Sequence, residues 1–116
     1  MDLEDFNRRW LEAWTIKSVA SVLSFYHAEV RYYDEHVPQG LIGTEALATH
    51  LTRLFATMPA WRYEADQLWA ISGGFCARWH LTVGDGANAL RLRGFDHVVL
   101  TGGLISHNEV YTHRLG

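Results

Sequence analysis

The residues able to move protons are crowded toward one end of this chain. Between Arg91 and Arg114 the sequence RLRGFDHVVLTGGLISHNEVYTHR carries Asp96, His97, His107, Asn108, Glu109, Tyr111 and His113. That is more carboxylate, imidazole, amide and phenol than a purely structural strand pair requires, and such groups exchange protons and hydrogen bonds. Asp96 stands inside a β-branched and aromatic run, where aspartate is disfavoured, so it is expected to face a pocket or a hydrogen-bonding partner. A second carboxylate, Asp34, closes an alternating run, where it either enters a site or caps the loop that follows.

Seven histidines raise the question of a metal. No two stand four apart, the helical ligand spacing, and His107, Glu109 and His113 on one strand face span about 20 Å at roughly 3.4 Å per residue. No metal site and no cofactor are expected. Cys76 is the single cysteine; with no base beside it, it is a poor nucleophile.

These groups need elements to hold them. In residues 91–114 two strand-like runs are joined by Gly102-Gly103, which supplies the positive φ angles of a tight hairpin turn. Residues 61–71, 75–83, 89–100 and 104–114 read as four strands with short connections, hence antiparallel neighbours. Upstream, Leu3, Phe6, Trp10, Ala13 and Trp14 recur at helical spacing after Asp2, a plausible cap. Ser18 caps a shorter helix carrying Val19, Val22, Leu23 and Tyr26, and residues 28–34 then alternate as a strand, with Val30, Tyr32 and Asp34 on one face. Residues 35–43 carry one proline and two glycines without a period and read as a loop. Thr44 is expected to cap a third helix with Leu47, Leu51, Leu54, Phe55 and Met58 on its buried side, ended by Pro59.

At 116 residues the chain fits a single domain spanning 1–116. Two helices, a strand, a third helix and then four strands predict an α+β domain, with helices on the concave face of a curved sheet. A net charge of −3 with scattered basic residues lacks the basic stripe that nucleic acid needs. One cysteine allows no internal disulfide, and the acidic amphipathic start is unlike a secretion signal, so a cytoplasmic protein is expected. No apolar run approaches the roughly 18 residues of a membrane span.

The order of elements, with particular residues, resembles the nuclear-transport-factor-2-like superfamily in its SnoaL-like branch, related to polyketide cyclases and ketosteroid isomerase. The residues that carry it are the tryptophan-bearing first helix ending at Trp14, Tyr33-Asp34 at a strand end, Gly43 to Leu47, Phe55 with Pro59, Arg78-Trp79, and Gly103-Leu104-Ile105. The resemblance implies a cone-shaped fold with a curved antiparallel or mixed sheet, a pocket at its wide end, and often a homodimer through the outer sheet face. It puts Asp34 where ketosteroid isomerase keeps its general base, and Asp96 where that enzyme keeps a protonated aspartic acid that donates to an oxyanion. The tyrosine on that enzyme's first helix has no counterpart, since Trp10 and Trp14 stand there. Many SnoaL-like proteins carry an acid at the position of His113.

Asp34 as base and Asp96 as donor would suit an apolar pocket, because burial and a neighbouring carboxylate push carboxyl pKa values apart. Trp14, Tyr32 and Trp79 are expected to line that pocket. The last strand admits two faces. A turn made by Gly102-Gly103 alone puts Glu109 opposite Asp96, with Tyr111 and His113 on the same face, whereas a register one residue shorter puts Asn108 there with Val110 and Thr112. Trp10, Trp14 and Trp79 also have a plain reading as core. Two functions stay open: a cofactor-independent isomerase, cyclase or dehydratase acting on a small apolar carbonyl compound, or a non-catalytic module that binds such a molecule or a second copy of itself.

Overall fold

The computed structural model describes residues 1–116. Its elements run α1 (Leu3–Thr15), α2 (Val19–Leu23), β1 (Tyr26–Asp34), β2 (Val37–Ile42), α3 (Thr44–Thr57), β3 (Trp61–Ile71), β4 (Gly74–Val83), β5 (Leu90–Thr101) and β6 (Leu104–Arg114), with a short 3-10 turn over Gly86–Asn88.

Helix α1 starts where the sequence marks it: the Asp2 carboxylate accepts the Asp5 N–H at 3.1 Å, filling one of the donors a helix leaves free at its first turn. Its apolar stripe buries Phe6, Trp10, Leu11, Ala13 and Trp14. Ser18 caps α2 in the same way, accepting from the Ser21 N–H at 3.1 Å. Tyr26, expected inside this second helix, instead begins β1, since the helix ends at Leu23. The cap expected of Thr44 is also displaced by one residue: Gly43, at φ 91°, is the N-cap of α3 and offers no side chain.

Six strands form one mixed sheet in the order β2-β1-β6-β5-β4-β3, parallel between β1 and β6 and antiparallel elsewhere. This is the expected α+β cone, with one strand more than the sequence suggested. Residues 35–43, read as a loop, contain β2, which pairs with β1 from Arg31↔Ile42 to Asp34↔Val37. The strand is short, lies at the sheet edge and carries Pro38, a residue tolerated only where no ladder hydrogen bond is needed.

The core lies between the helices and the inward sheet face. Phe75, Ala77, Trp79, Leu81 and Val83 alternate inward along β4 and are all buried. Trp10 packs edge-on against Tyr26 and Phe75, and Trp14 packs against Phe55 and Tyr63. The outer sheet face leaves Trp69, Ile71, Phe95 and Tyr111 exposed.

The last hairpin decides which residues face inward. Gly102 and Gly103 form the turn at φ 60° and 80°, between the paired Thr101 and Leu104. The register then slips: Leu100 pairs with Ile105 but Val99 pairs with His107, leaving Ser106 unpaired. This bulge reverses the inward alternation, because strand side chains have a period of two. Asp96 comes to stand opposite Val110, a register the sequence did not suggest, and Asn108 shares its inward face.

Candidate active site

Between α1, α3 and the concave sheet lies a cavity of about 110 Å³, lined mainly by apolar side chains, including Trp10, Trp14, Tyr63 and Trp79. Three carboxylates border it: Asp34, Asp96 and the exposed Glu35. The volume is on the scale of the engineered cavity of about 150 Å³ that takes up benzene, so the enclosed part holds roughly one ring.

Asp96 sits at the closed end, only 2 % exposed. The indole Nε1–H of Trp79 donates to its Oδ2, and Asn108 Nδ2 donates to its Oδ1 at 3.0 Å. Asn108 is in turn oriented by the Tyr26 hydroxyl, which donates to its Oδ1 at 2.8 Å. With both amide atoms engaged, the Asn108 side chain has one orientation that satisfies the network. The position of Trp79 depends on Gly94, its register partner on β5: a Cβ there would lie 2.2 Å from the indole ring. A missing methyl therefore lets the indole lie flat on β5 with its N–H on Asp96. Burial pushes the Asp96 carboxyl up to about 7, against the lowering effect of the Asn108 and Trp79 hydrogen bonds. A carboxylic acid near neutrality, with two N–H groups on its oxygens, can direct its own O–H into the cavity.

Asp34 ends β1 near the cavity mouth. Burial acts on it too, but hydrogen bonds from His50, Tyr32 and the His36 backbone, with the His50 charge, outweigh that effect and hold the carboxyl at about 2. Its Oδ2 accepts from the Tyr32 hydroxyl at 2.8 Å and lies 2.9 Å from His50 Nε2; its Oδ1 accepts the backbone N–H groups of His36 at 2.8 Å and Val37 at 3.1 Å. A carboxylate can only accept, so His50 Nε2 carries the proton in this contact. The side chains of His50 and Asp34 are 11 % and 10 % exposed. Turn-capping and pocket-lining, posed as alternatives by the sequence, are thus combined: the same carboxylate holds the β1–β2 turn and borders the cavity.

Trp14, Tyr32, Trp79 and Asn108, expected in the pocket, all line it. Glu109, Tyr111 and His113, also expected there, are on the opposite sheet face: Tyr111 is 61 % exposed, Glu109 pairs with histidines outside, and His113 accepts from Arg93 at 3.2 Å. The Ser106 bulge causes this reversal, giving Asn108, Val110 and Thr112 the inward positions. His50 and Tyr26 were missed. His50 had a signal, being three residues after Leu47 and four before Leu54, a polar residue beside the apolar stripe of α3. Tyr26 had none, since its role depends on β1 lying beside β6.

One further donor is free. Trp10 borders the cavity, and its buried indole Nε1 has no hydrogen-bond partner. A buried N–H left unpaired costs roughly 1–3 kcal/mol, which an acceptor on a ligand could recover.

No helix is long and apolar enough to cross a membrane. Among solved structures, a protein of ketosteroid isomerase-like fold from Catenulispora acidiphila DSM 44928, in complex with trimethylamine, matches with a TM-score of 0.78 at 13 % identity, covering 90 % of this chain and 82 % of that one. An NTF2-like protein of unknown function from Pseudomonas putida KT2440 matches with a TM-score of 0.73 at 17 % identity, covering 94 % and 82 %. A candidate SnoaL-like polyketide cyclase from Shewanella denitrificans OS-217 has a TM-score of 0.74 at 12 % identity, covering 95 % and 89 %. At these identities the likeness is one of fold. No curated protein matches the sequence. The SnoaL-like domain family, by contrast, matches residues 7–108, most of the chain and both cavity aspartates, so the chain belongs to the SnoaL-like domain family.

Proposed function

We propose that the cavity binds a small, mostly apolar molecule by its carbonyl group and performs acid/base chemistry on it without a cofactor, as an isomerase, cyclase or dehydratase does. The observation that carries this reading is the pair of carboxyls bordering one apolar cavity in opposite environments: Asp96 desolvated at the closed end, Asp34 saturated with donors at the mouth. Two carboxyls driven apart in this way divide into an acid and a base. The carbonyl oxygen receives a hydrogen bond from the Asp96 O–H. The C–H bond beside the carbonyl breaks and its proton passes to Asp34. The electron pair of that bond forms a carbon–carbon double bond while the carbonyl π pair moves onto oxygen, giving an enolate held by the Asp96 hydrogen bond. The proton then returns at the same or another carbon as the carbonyl re-forms. For Asp34 to accept that proton, Tyr32 or His50 has to turn its hydrogen bond away.

The saturation of Asp34 favours a second reading, a binding module that holds the carbonyl compound on Asp96 and leaves its protons in place. A carboxylate held at about 2 is a weak base. Cyclohex-2-enone in deuterated water separates the two. Deuterium entering beside the carbonyl, slowed about 10²–10⁴-fold in Asp34→Asn, supports acid/base turnover. Binding seen as a shift of the Trp79 indole N–H resonance without exchange supports the module, and neither effect overturns both readings. The exposed Trp69, Ile71, Phe95 and Tyr111 support a homodimer through the outer sheet face; a monomer mass by light scattering at micromolar concentration would exclude it.

A further inference from the structure

On the sheet face opposite the cavity, strand pairing assembles a group that spacing along the chain conceals. His97 on β5 stands directly across from Glu109 on β6, and His107 lies two residues before Glu109 on the same face. One ligand atom from each of the three falls within 4.8 Å of the others. We propose that His97, His107 and Glu109 form a binding site for a divalent transition-metal ion of the zinc type.

Three observations support it. First, the groups converge without satisfying one another. His97 Nδ1 is buried and has no hydrogen-bond partner, and its distance to Glu109 Oε2 is 3.8 Å; His107 Nε2 lies 3.6 Å from Glu109 Oε1. Both distances exceed a hydrogen bond. An ion about 2.0–2.2 Å from each ligand would draw atoms now within 4.8 Å of one another to roughly 3.3 Å apart and satisfy all three. Second, the carboxylate is not taken by a stronger cation, since the ion-pairing partners of Glu109 are His97 and His107 alone. Third, the ligands are held by paired strands and their rings are supported. His107 packs at 5.3 Å against the Tyr33 ring, which lies so close to β2 that a Cβ on Gly40 would approach it to 2.4 Å. His97 packs at 5.8 Å against His107. Sites built on rigid elements with supported ligands are the ones that hold geometry.

Two imidazoles and one carboxylate suit zinc, cobalt or nickel rather than calcium or magnesium, which prefer oxygen. Three protein ligands leave at least one coordination position open. The site faces away from the cavity and is independent of the function proposed there.

The test is calorimetric titration of the tag-free chain with zinc chloride, and with cobalt chloride followed by its visible absorption. One equivalent per chain is expected, with binding weakened more than about 10-fold in each of His97→Ala, His107→Ala and Glu109→Gln. His80→Ala, which alters a histidine paired with Asp66 elsewhere on the same face, should bind as the unchanged chain does. Circular dichroism establishes that each variant is folded, and Glu109→Gln, which keeps the shape of a half-exposed side chain, serves if His97→Ala is not. No saturable binding below millimolar metal, or affinity unchanged in folded Glu109→Gln and His107→Ala, would overturn the site and leave a cluster of weak ion pairs.

Discussion

Two aspartates border the same cavity and are driven in opposite directions. Asp34 receives four hydrogen bonds, two from side chains and two from the backbone of the turn it closes. Asp96 receives two, from Trp79 and Asn108, in a place that is fully desolvated. Burial raises both carboxyls, more strongly at the deeper Asp96; at Asp34 the hydrogen bonds and the neighbouring His50 charge reverse the effect, whereas two hydrogen bonds at Asp96 do not. Residue type alone therefore distinguishes nothing here; the difference lies in depth of burial, in the N–H and O–H groups directed at each carboxyl, and in the His50 imidazole beside Asp34.

The contrast can be broken most sharply at the chemistry. Asp34→Asn should slow deuterium exchange into a bound enone by about 10²–10⁴-fold, and Asp96→Asn should weaken retention of the carbonyl as well as exchange; equal rates in all three proteins would remove the division of roles.

Stability against pH reads the same contrast without a ligand. Asp96 has a folded pKa of about 7, above the ordinary value. Below about pH 4 both folded and unfolded states carry the proton and no penalty exists. Between about pH 4 and 7 the unfolded chain ionises first and stability falls, by about 4 kcal/mol once both states are ionised, reckoned at 1.36 kcal/mol per pH unit. Urea unfolding from pH 5 to 8 should show this decline, and Asp96→Asn should flatten it.

Gly94→Ala tests the element that delivers the indole. The new methyl cannot share space with the Trp79 ring, so the indole has to leave Asp96, with a loss of up to about 3 kcal/mol in urea unfolding and a changed Trp79 N–H resonance. An unchanged resonance would mean that β5 yields instead.

The smallest effect belongs to Asp34 on the acid side. Its folded pKa of about 2 lies below the unfolded value, so its contribution of about 2 kcal/mol is fully present above about pH 4 and is lost as pH falls through 2. Acid unfolding should be shallower in Asp34→Asn.

Much of the architecture was legible because it rests on local chemistry. The stripe of Leu3, Phe6, Trp10, Ala13 and Trp14, the caps at Asp2 and Ser18, the stop at Pro59 and the Gly102-Gly103 turn are each decided within a few residues. Asp96 was legible as a polar residue misplaced in a strand, and Asp34 through family resemblance. Strand β2 was not, since a six-residue edge strand containing proline has no alternation to read. The bulge at Ser106 left no mark either, yet that one unpaired residue turns Asn108 inward and Glu109, Tyr111 and His113 outward. His50 was readable as a polar residue beside the apolar stripe of α3, but its partner was not; Tyr26 and the His97, His107, Glu109 cluster depend on which strands lie side by side, and periodicity does not contain that information.

The most direct measurement is a carbon-13 NMR titration of the aspartate side-chain carboxyls, assigned with Asp34→Asn and Asp96→Asn. One resonance, absent in Asp96→Asn, should titrate with a midpoint near 7, and one, absent in Asp34→Asn, near 2. If both midpoints fall together in the ordinary range around 4, the cavity does not separate its two aspartates, and the division into acid and base fails with it.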